Sequence, residues 1–183
     1  MKTKQQLLED SFELCVSNTP LKESMPDIAH KKVTELAEYC KADKDIAMIG
    51  FNLIDIRIQQ SKKEGDITKH PFVARDFAKT FLKDYDLTQE EANKIINCIE
   101  AHHGQVPYTC IEAEIVANAD CYRFIHPHGA LTYIGLLEKR KCDINANIEQ
   151  LKFKQKEKYS LISLNKVKEE LSPYYNLFNE LLK

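Results

Sequence analysis

A chain of 183 residues is long enough to bury a hydrophobic core as one domain, without disulfide bonds or a structural metal. Its content of 43% hydrophobic and 30% charged residues is that of an ordinary soluble globular protein. The formal net charge of −2 gives the molecule no electrostatic attraction to nucleic acid or to membranes, so neither is an expected partner.

The first half of the chain predicts three helices followed by a polar loop. Apolar residues recur at helical spacing, and the three predicted helices cover residues 3–17, 27–41 and 43–60. The third is apolar on nearly all sides, which predicts a central position in the fold. The stretch SKKEGDITKH then reads as a loop, with Gly65 as its turn residue.

The second half predicts further helices and no convincing strand. Pro71 suits the first turn of a helix, and Thr88 with Glu91 forms a capping-box pattern that opens another helix, to about residue 102. Later helices are predicted at 110–124, 130–140, 144–158 and 163–182. We therefore expect an all-α fold, in which residues 141–183 form a helical extension that packs on the body formed by residues 1–140.

Cysteine spacing and hydropathy indicate a cytoplasmic protein. The six cysteines, from Cys15 to Cys142, form no CxxC pair and no zinc-finger spacing, so we expect reduced and mostly buried thiols. The opening residues MKTKQQLLED are charged, unlike a signal peptide. No apolar run approaches the roughly 18 residues that would cross a bilayer.

Six acidic and histidine residues stand out because they lie in or beside apolar helices. They are His30, Asp55, His70, His102, His103 and Asp120. Each one alone is explained by helix capping or by a hydrogen bond in the core. Ionised carboxylates are nevertheless rare in apolar helices unless they are paired or bind a metal. Imidazole and carboxylate ligands together suit Mn, Fe, Co, Ni or Zn, so the set indicates a divalent metal site.

The order of these residues resembles that of the HD-domain phosphohydrolase superfamily, over residues 26–130. The stretches HKKVTELAEYC, MIGFNLIDI and GDITKHP resemble the family's histidine helix, its His-Asp doublet and its additional-histidine loop. The segment IEAHHGQVPYTCIEAEIVANADCYRFIHPHGAL is similar to the corresponding region of ribonuclease Y and HDIG-type proteins. The resemblance implies an HD-domain helical bundle.

The resemblance also implies the roles of the candidate residues. His30, Asp55 and Asp120 match the primary metal ligands. His70, His102 and His103 match the ligands of a second ion, with Asp55 bridging the two. One or two divalent ions (Mn, Fe, Ni, Co, Zn or Mg) would activate a water that hydrolyses a phosphoester, for instance a nucleotide.

Cationic side chains near these ligands are candidates for contact with the phosphate. Arg57 is the candidate catalytic cation, and Lys69 and Arg123 are the candidate substrate-binding residues.

Position 54 departs from the family pattern, because Ile54 stands where the doublet has its histidine. Three outcomes stay open: one ion on Asp55, His70 and the 102–103 pair; weaker binding, with water in the vacant position; or a catalytically impaired HD-domain module that binds a ligand or a protein. The leading hypothesis is a metal-dependent phosphohydrolase acting on a phosphorylated small molecule or a nucleotide. The basic C-terminal helices are equally candidates for a homodimer surface and for a lid.

Overall fold

The computed structural model describes residues 1–18, 25–139 and 143–182, and these residues adopt an all-α fold. Apart from an isolated bridge between Lys2 and Tyr85, the described residues contain no β-structure. Short 3-10 turns cover Ile67–Lys69 and Leu82–Asp84. The α-helices are α1 (Lys4–Asn18), α2 (Ile28–Cys40), α3 (Lys44–Leu53), α4 (Ile58–Lys63), α5 (His70–Phe81), α6 (Gln89–Ala101), α7 (Ile111–Ile125), α8 (Pro127–Glu138), α9 (Ile144–Ser160) and α10 (Asn165–Leu181).

Side-chain caps fix where several of these helices begin. Asp27 precedes α2, and its carboxylate accepts hydrogen bonds from the backbone N–H groups of Ala29 and His30. The capping box predicted from Thr88 and Glu91 is confirmed, since each side chain accepts a hydrogen bond from the other residue's backbone N–H. Such caps satisfy donors that a helix start would otherwise leave without a partner.

Helices α3 and α7 form the centre of the molecule. Helix α3 packs against α1, α2, α6 and α7, while α7 also contacts α8, α9 and α10. Two apolar clusters meet at α3: one contains Phe51 and Ile54, and the other contains Ile49 and Leu53. The prediction of a central position for this segment is confirmed, because a helix that is apolar all round must be covered on all sides.

The prediction of a single helix over residues 43–60 is wrong. Helix α3 ends at Leu53, a turn follows, and α4 begins at Ile58. In the turn, Ile56 N donates to Leu53 O at 3.3 Å and Ile58 N donates to Asp55 O at 3.0 Å. Apolar residues continue through the break, so hydrophobic periodicity carried no signal of it. Asp55 therefore lies on a turn between two helices.

Helix α8 begins three residues before the predicted start at residue 130. Pro127 occupies its first turn, and His126 caps it by accepting a hydrogen bond from His128 N. The HPHG stretch reads as a helix breaker, but proline is well suited to a first turn, where its missing N–H costs nothing.

The C-terminal helices pack on the same body as α7. Helix α9 contacts α7 and α8, and Val167 and Leu171 of α10 belong to the main apolar cluster. The predicted boundary between residues 140 and 141, and also Cys142, lie outside the described residues. The cysteines of the described part are free thiols. None of its helices has both the length and the apolar character needed to cross a membrane.

Candidate metal centre

A cavity of about 650 Å³ opens between the turn after α3 and helices α4, α8 and α9. Along each of α7, α8 and α9, the residues that line it repeat every three or four positions, so each helix presents one face to it. On α8 they include His128, Thr132 and Leu136, and on α9 they include Phe153 and Lys158.

His70 lines one side of this cavity and contacts His102, which is buried beside it. His70 Nδ1 lies 2.7 Å from Ile67 O, and His102 Nδ1 lies 2.7 Å from Ile99 O. A carbonyl oxygen only accepts, so each Nδ1 carries the proton and donates it. The lone pair of each neutral ring is then on Nε2, and the two Nε2 atoms are 3.2 Å apart. Two lone pairs facing each other at this distance need a proton or a cation between them.

His103 completes a cluster of three imidazoles. One ligand nitrogen from each of His70, His102 and His103 lies within 4.8 Å of the others. His103 Nδ1 is 3.0 Å from Glu157 Oε1, whereas the Asp55 carboxylate contacts His70 at Nε2. Metal-bound histidines usually hold their other ring nitrogen in this way, against a carbonyl or a carboxylate. The donor set of the described residues therefore fits a divalent cation.

Asp55 joins this cluster from the turn after α3. Its Oδ1 lies 3.2 Å from His70 Nε2, and its side chain is 43% exposed and lines the cavity. Desolvation acts to raise the pKa of Asp55, but the neighbouring His70 and Arg123 outweigh it and hold that pKa well below its ordinary value. The carboxylate is thus ionised and within reach of a bound ligand.

His70 and His102 differ in the protonation state that their surroundings favour. Burial opposes a charge on His70, but the adjacent Asp55 carboxylate raises the pKa of His70 above its ordinary value. Burial, with nearby His103 and Lys158, lowers the pKa of His102 well below its ordinary value. His102 is therefore neutral near pH 7 and keeps its Nε2 lone pair.

Arg123 holds three carboxylates beside the histidine cluster. Its Nε donates to Asp27 Oδ2 at 2.8 Å, and its Nη1 lies 3.3 Å from Asp55 Oδ2 and 3.2 Å from Asp120 Oδ1. The guanidinium also stacks over the Phe51 ring, 4.3 Å from its centroid. Arg123, a predicted substrate-binding residue, lines the cavity, and its polar contacts with described residues are with these acids.

Lys158 reaches the same acids from helix α9. Its Nζ is 2.6 Å from Asp120 Oδ2 and 3.4 Å from His103 Nδ1, and its side chain is only 1% exposed. Burial acts against the charge of Lys158, yet the Asp120 carboxylate raises the pKa of this lysine above its ordinary value. Asp120, a predicted metal ligand, is thus paired with two cations.

His30 lies apart from the three clustered histidines. Its Nδ1 is 2.9 Å from Asp27 Oδ1, and its Nε2 is 3.2 Å from Asn52 Oδ1. The ring stands edge-on between Phe12 and Phe51. Both ring nitrogens are therefore engaged within the protein, and the metal-binding role of His30 stays a prediction.

Arg57 and Lys69 are not brought to the cavity. The guanidinium of Arg57 stacks over the Phe77 ring, 4.1 Å from its centroid, in a separate surface depression. Lys69 has a side chain that is 70% exposed and lies 3.3 Å from Asp66. Arg57 follows Asp55 by two residues, but the turn points the two side chains towards different neighbours.

The sequence analysis did not identify three residues of the site: Asp27, Glu157 and Lys158. Asp27 falls at the start of the predicted helix 27–41, and in the structure it caps α2. Glu157 and Lys158 lie in a charged segment that predicts a solvated helix face. Their proximity to residues 103 and 120 depends on how α9 packs against α7.

Comparison with known proteins finds a short similarity to ribonuclease Y from Finegoldia magna. A stretch of 38 residues, 21% of this chain, is 50% identical to that protein and spans 7% of its length. No protein-family model and no solved structure matches the chain. The similarity agrees with the resemblance drawn from the motifs, over a stretch too short to establish the family of the whole chain.

Proposed function

We propose that this protein is an HD-type phosphohydrolase that cleaves a phosphoester at a divalent cation held by His70, His102, His103 and Asp55. The observation that carries the proposal is the convergence of imidazole nitrogens whose Nδ1 atoms face oxygen acceptors, beside an ionised carboxylate, at the edge of a large cavity. The similarity to ribonuclease Y supports the same class of chemistry.

Different residues of the chain would have different roles in such a reaction. Ile67 and Ile99 fix the His70 and His102 rings through their carbonyl oxygens, so little reorganisation is needed on ligand binding. Asp55 faces the cavity and can orient a water towards phosphorus. A bound divalent cation would supply Lewis-acid chemistry, lowering the pKa of water and neutralising charge on the phosphoryl oxygens.

The size and lining of the cavity support a substrate larger than inorganic phosphate. A volume of about 650 Å³ lies within the range of pockets that hold nucleotide-sized ligands. Apolar side chains, among them Ile58, Leu136 and Phe153, line the cavity together with the polar groups of the site. This combination suits a phosphoester whose organic group packs against the apolar wall.

The test compares wild type with His102→Gln and with a matched control, His128→Gln. His128 lines the cavity, is exposed and lies outside the cluster. After equilibration with Mn²⁺ and removal of free metal, elemental analysis measures the ion content of each protein. We expect wild type and His128→Gln to retain metal and His102→Gln to lose it. Removing a residue that only hydrogen-bonds a metal ligand costs about 10–100-fold in affinity, and removing the ligand itself costs at least as much.

Activity is then measured on p-nitrophenyl phosphate and on bis(p-nitrophenyl) phosphate with Mn²⁺ present. Hydrolysis by wild type and by His128→Gln, and not by His102→Gln, would support the proposal. Failure of wild type to bind Mn²⁺, Fe²⁺, Co²⁺, Ni²⁺ or Zn²⁺ would refute it. Metal retained by His102→Gln at wild-type affinity would place the ion elsewhere.

A catalytically impaired binding module is the second candidate, and one observation favours it. Arg123 and Lys158 already neutralise the acids beside the histidines, so the carboxylates gain less from a metal ion. This candidate predicts that nucleotides or phosphate bind in the cavity, as measured by calorimetry, while neither p-nitrophenyl ester is hydrolysed with any of the five metals.

A further inference from the structure

Asp55 lies between two groups of side chains, a histidine cluster and a group of carboxylates that is paired with arginine. On one side, its Oδ1 faces His70, in a cluster whose Nε2 lone pairs converge. On the other side, its Oδ2 faces Arg123, which also binds Asp27 and Asp120. The first group needs a proton or a cation between its nitrogens, whereas the second already contains a cation.

Lys158 adds a second built-in cation to the acidic group. It is among the largest fully buried side chains of the described residues, and its ammonium lies against Asp120 at 2.6 Å. A buried lysine is costly unless it is paired with an acid. The three carboxylates of Asp27, Asp55 and Asp120 thus face two permanent positive charges supplied by helices α7 and α9.

We propose that Arg123 and Lys158 take the place of a second metal ion, so that the protein binds one divalent cation per chain rather than two. This inference rests on the proposed metal site. It assigns Arg123 and Lys158 as positioning residues: they hold Asp120 and the second oxygen of Asp55 in the absence of an ion.

The experiment measures Mn²⁺ stoichiometry and thermal unfolding of the full chain. Lys158→Met keeps the length and the helix propensity of the side chain but removes its charge. Lys154→Met is the matched control: it lies one turn earlier on α9, lines the same cavity and pairs with Glu157. The double variant Lys158→Met with Asp120→Asn removes both charges of the buried pair.

We expect wild type and Lys154→Met to bind one Mn²⁺ and Lys158→Met to bind two. Without metal, Lys158→Met should melt roughly 10 °C below wild type, because Asp120 loses a buried partner. Added Mn²⁺ should raise the melting temperature of Lys158→Met by more than that of wild type. The double variant should bind one Mn²⁺ and melt closer to wild type.

The outcomes separate this inference from the proposed function. No ion in wild type would overturn the proposed function and this inference with it, whatever Lys158→Met binds. Equal stoichiometry in wild type and Lys158→Met would overturn the inference, whatever the stability of the variant. Two ions in wild type would overturn the inference and leave the proposed function standing.

Discussion

Asp55 occupies a turn, and its side chain reaches the cavity while the residues on either side of it are buried. Ile54 and Ile56 are 1% and 6% exposed, while Asp55 between them reaches the cavity. The hydrogen bonds of the turn join residues three apart, and a helix lies on each side of it. The acid gains His70 and Arg123 as partners there, so the cost of placing a charge within an apolar segment is offset.

Ile54 belongs to the main apolar cluster, together with Phe51 and Ala119. Position 54 is therefore part of the core, and the cavity is lined by its neighbours Asp55 and Ile56. An imidazole at this position would lose contact with water and would have apolar side chains around it.

Replacing Ile54 with histidine tests whether a missing ligand can be restored. We expect Ile54→His to lower the free energy of unfolding by roughly 1–3 kcal/mol, because a polar ring is buried among apolar groups. The number of Mn²⁺ ions bound should stay that of wild type. Denaturant unfolding and elemental analysis measure the two quantities. Ile54→Leu, which conserves volume, should cost under about 1.5 kcal/mol. Tighter metal binding by Ile54→His would contradict this expectation and show that the position faces the ion.

Helix α3 positions the turn of Asp55 through a close approach to α6. A Cβ added at Gly50 would lie 2.4 Å from Cys98 Cβ, closer than packed carbon atoms can come. Glycine at this position lets the two helices touch, and α6 ends at Ala101, directly before His102. The packing of α3 on α6 thus sets the distance between Asp55 and the histidine pair.

The substitution Gly50→Ala should push α3 and α6 apart. We expect a loss of roughly 1–3 kcal/mol in the free energy of unfolding, the usual cost of overpacking a core. Gly135→Ala in α8 is the control, because its added Cβ would meet no atom within 4 Å. That change should be neutral, or stabilising by up to about 1 kcal/mol, since alanine favours helix more than glycine does. Equal effects of the two substitutions would disprove the close-packing argument.

Helix α9 contributes chemistry to the site as well as covering it. Its face towards the cavity carries Phe153, Lys154, Glu157 and Lys158, at the three- and four-residue spacing of a helix. Glu157 holds His103 and Lys158 holds Asp120, so the charges on this face are engaged with the site. A helix from the C-terminal segment is therefore required to complete the arrangement.

Glu170 connects three helices of the molecule. Its carboxylate on α10 accepts hydrogen bonds from Lys32 of α2 at 2.8 Å and from the Tyr122 hydroxyl of α7 at 2.6 Å. Partial burial would raise the pKa of Glu170, but these contacts and Lys166 outweigh it and lower the pKa from 4.5 to about 2. A depressed pKa in the folded state means that the ionised form stabilises the fold.

Stability should therefore fall as the pH is lowered through the range in which Glu170 becomes protonated. The contribution of Glu170 is fully present above its unfolded-state pKa of about 4.5 and is lost as the pH falls towards 2. We expect Glu170→Gln to be less stable than wild type at pH 7, with the difference shrinking between pH 5 and pH 2. Thermal unfolding across this range measures it. Glu169→Gln, a change at an exposed neighbour on the same helix, should leave the pH profile of wild type unchanged. A difference between Glu170→Gln and wild type that does not vary with pH would contradict the assignment.

The amino-acid sequence by itself determined the helical class of this protein, the capping box at Thr88 and the central position of the segment that contains Ile49 and Phe51. These features depend on local periodicity and on interactions within a few residues, which a single chain displays directly. It also indicated His70, His102 and Asp55 as candidate site residues, because polar groups in apolar segments need partners in any fold that buries them. The break before Asp55 and the pairing of Asp120 with Lys158 were decided only by the tertiary structure. Both depend on packing between helices distant along the chain, and no local pattern encodes which charges such packing will bring into contact.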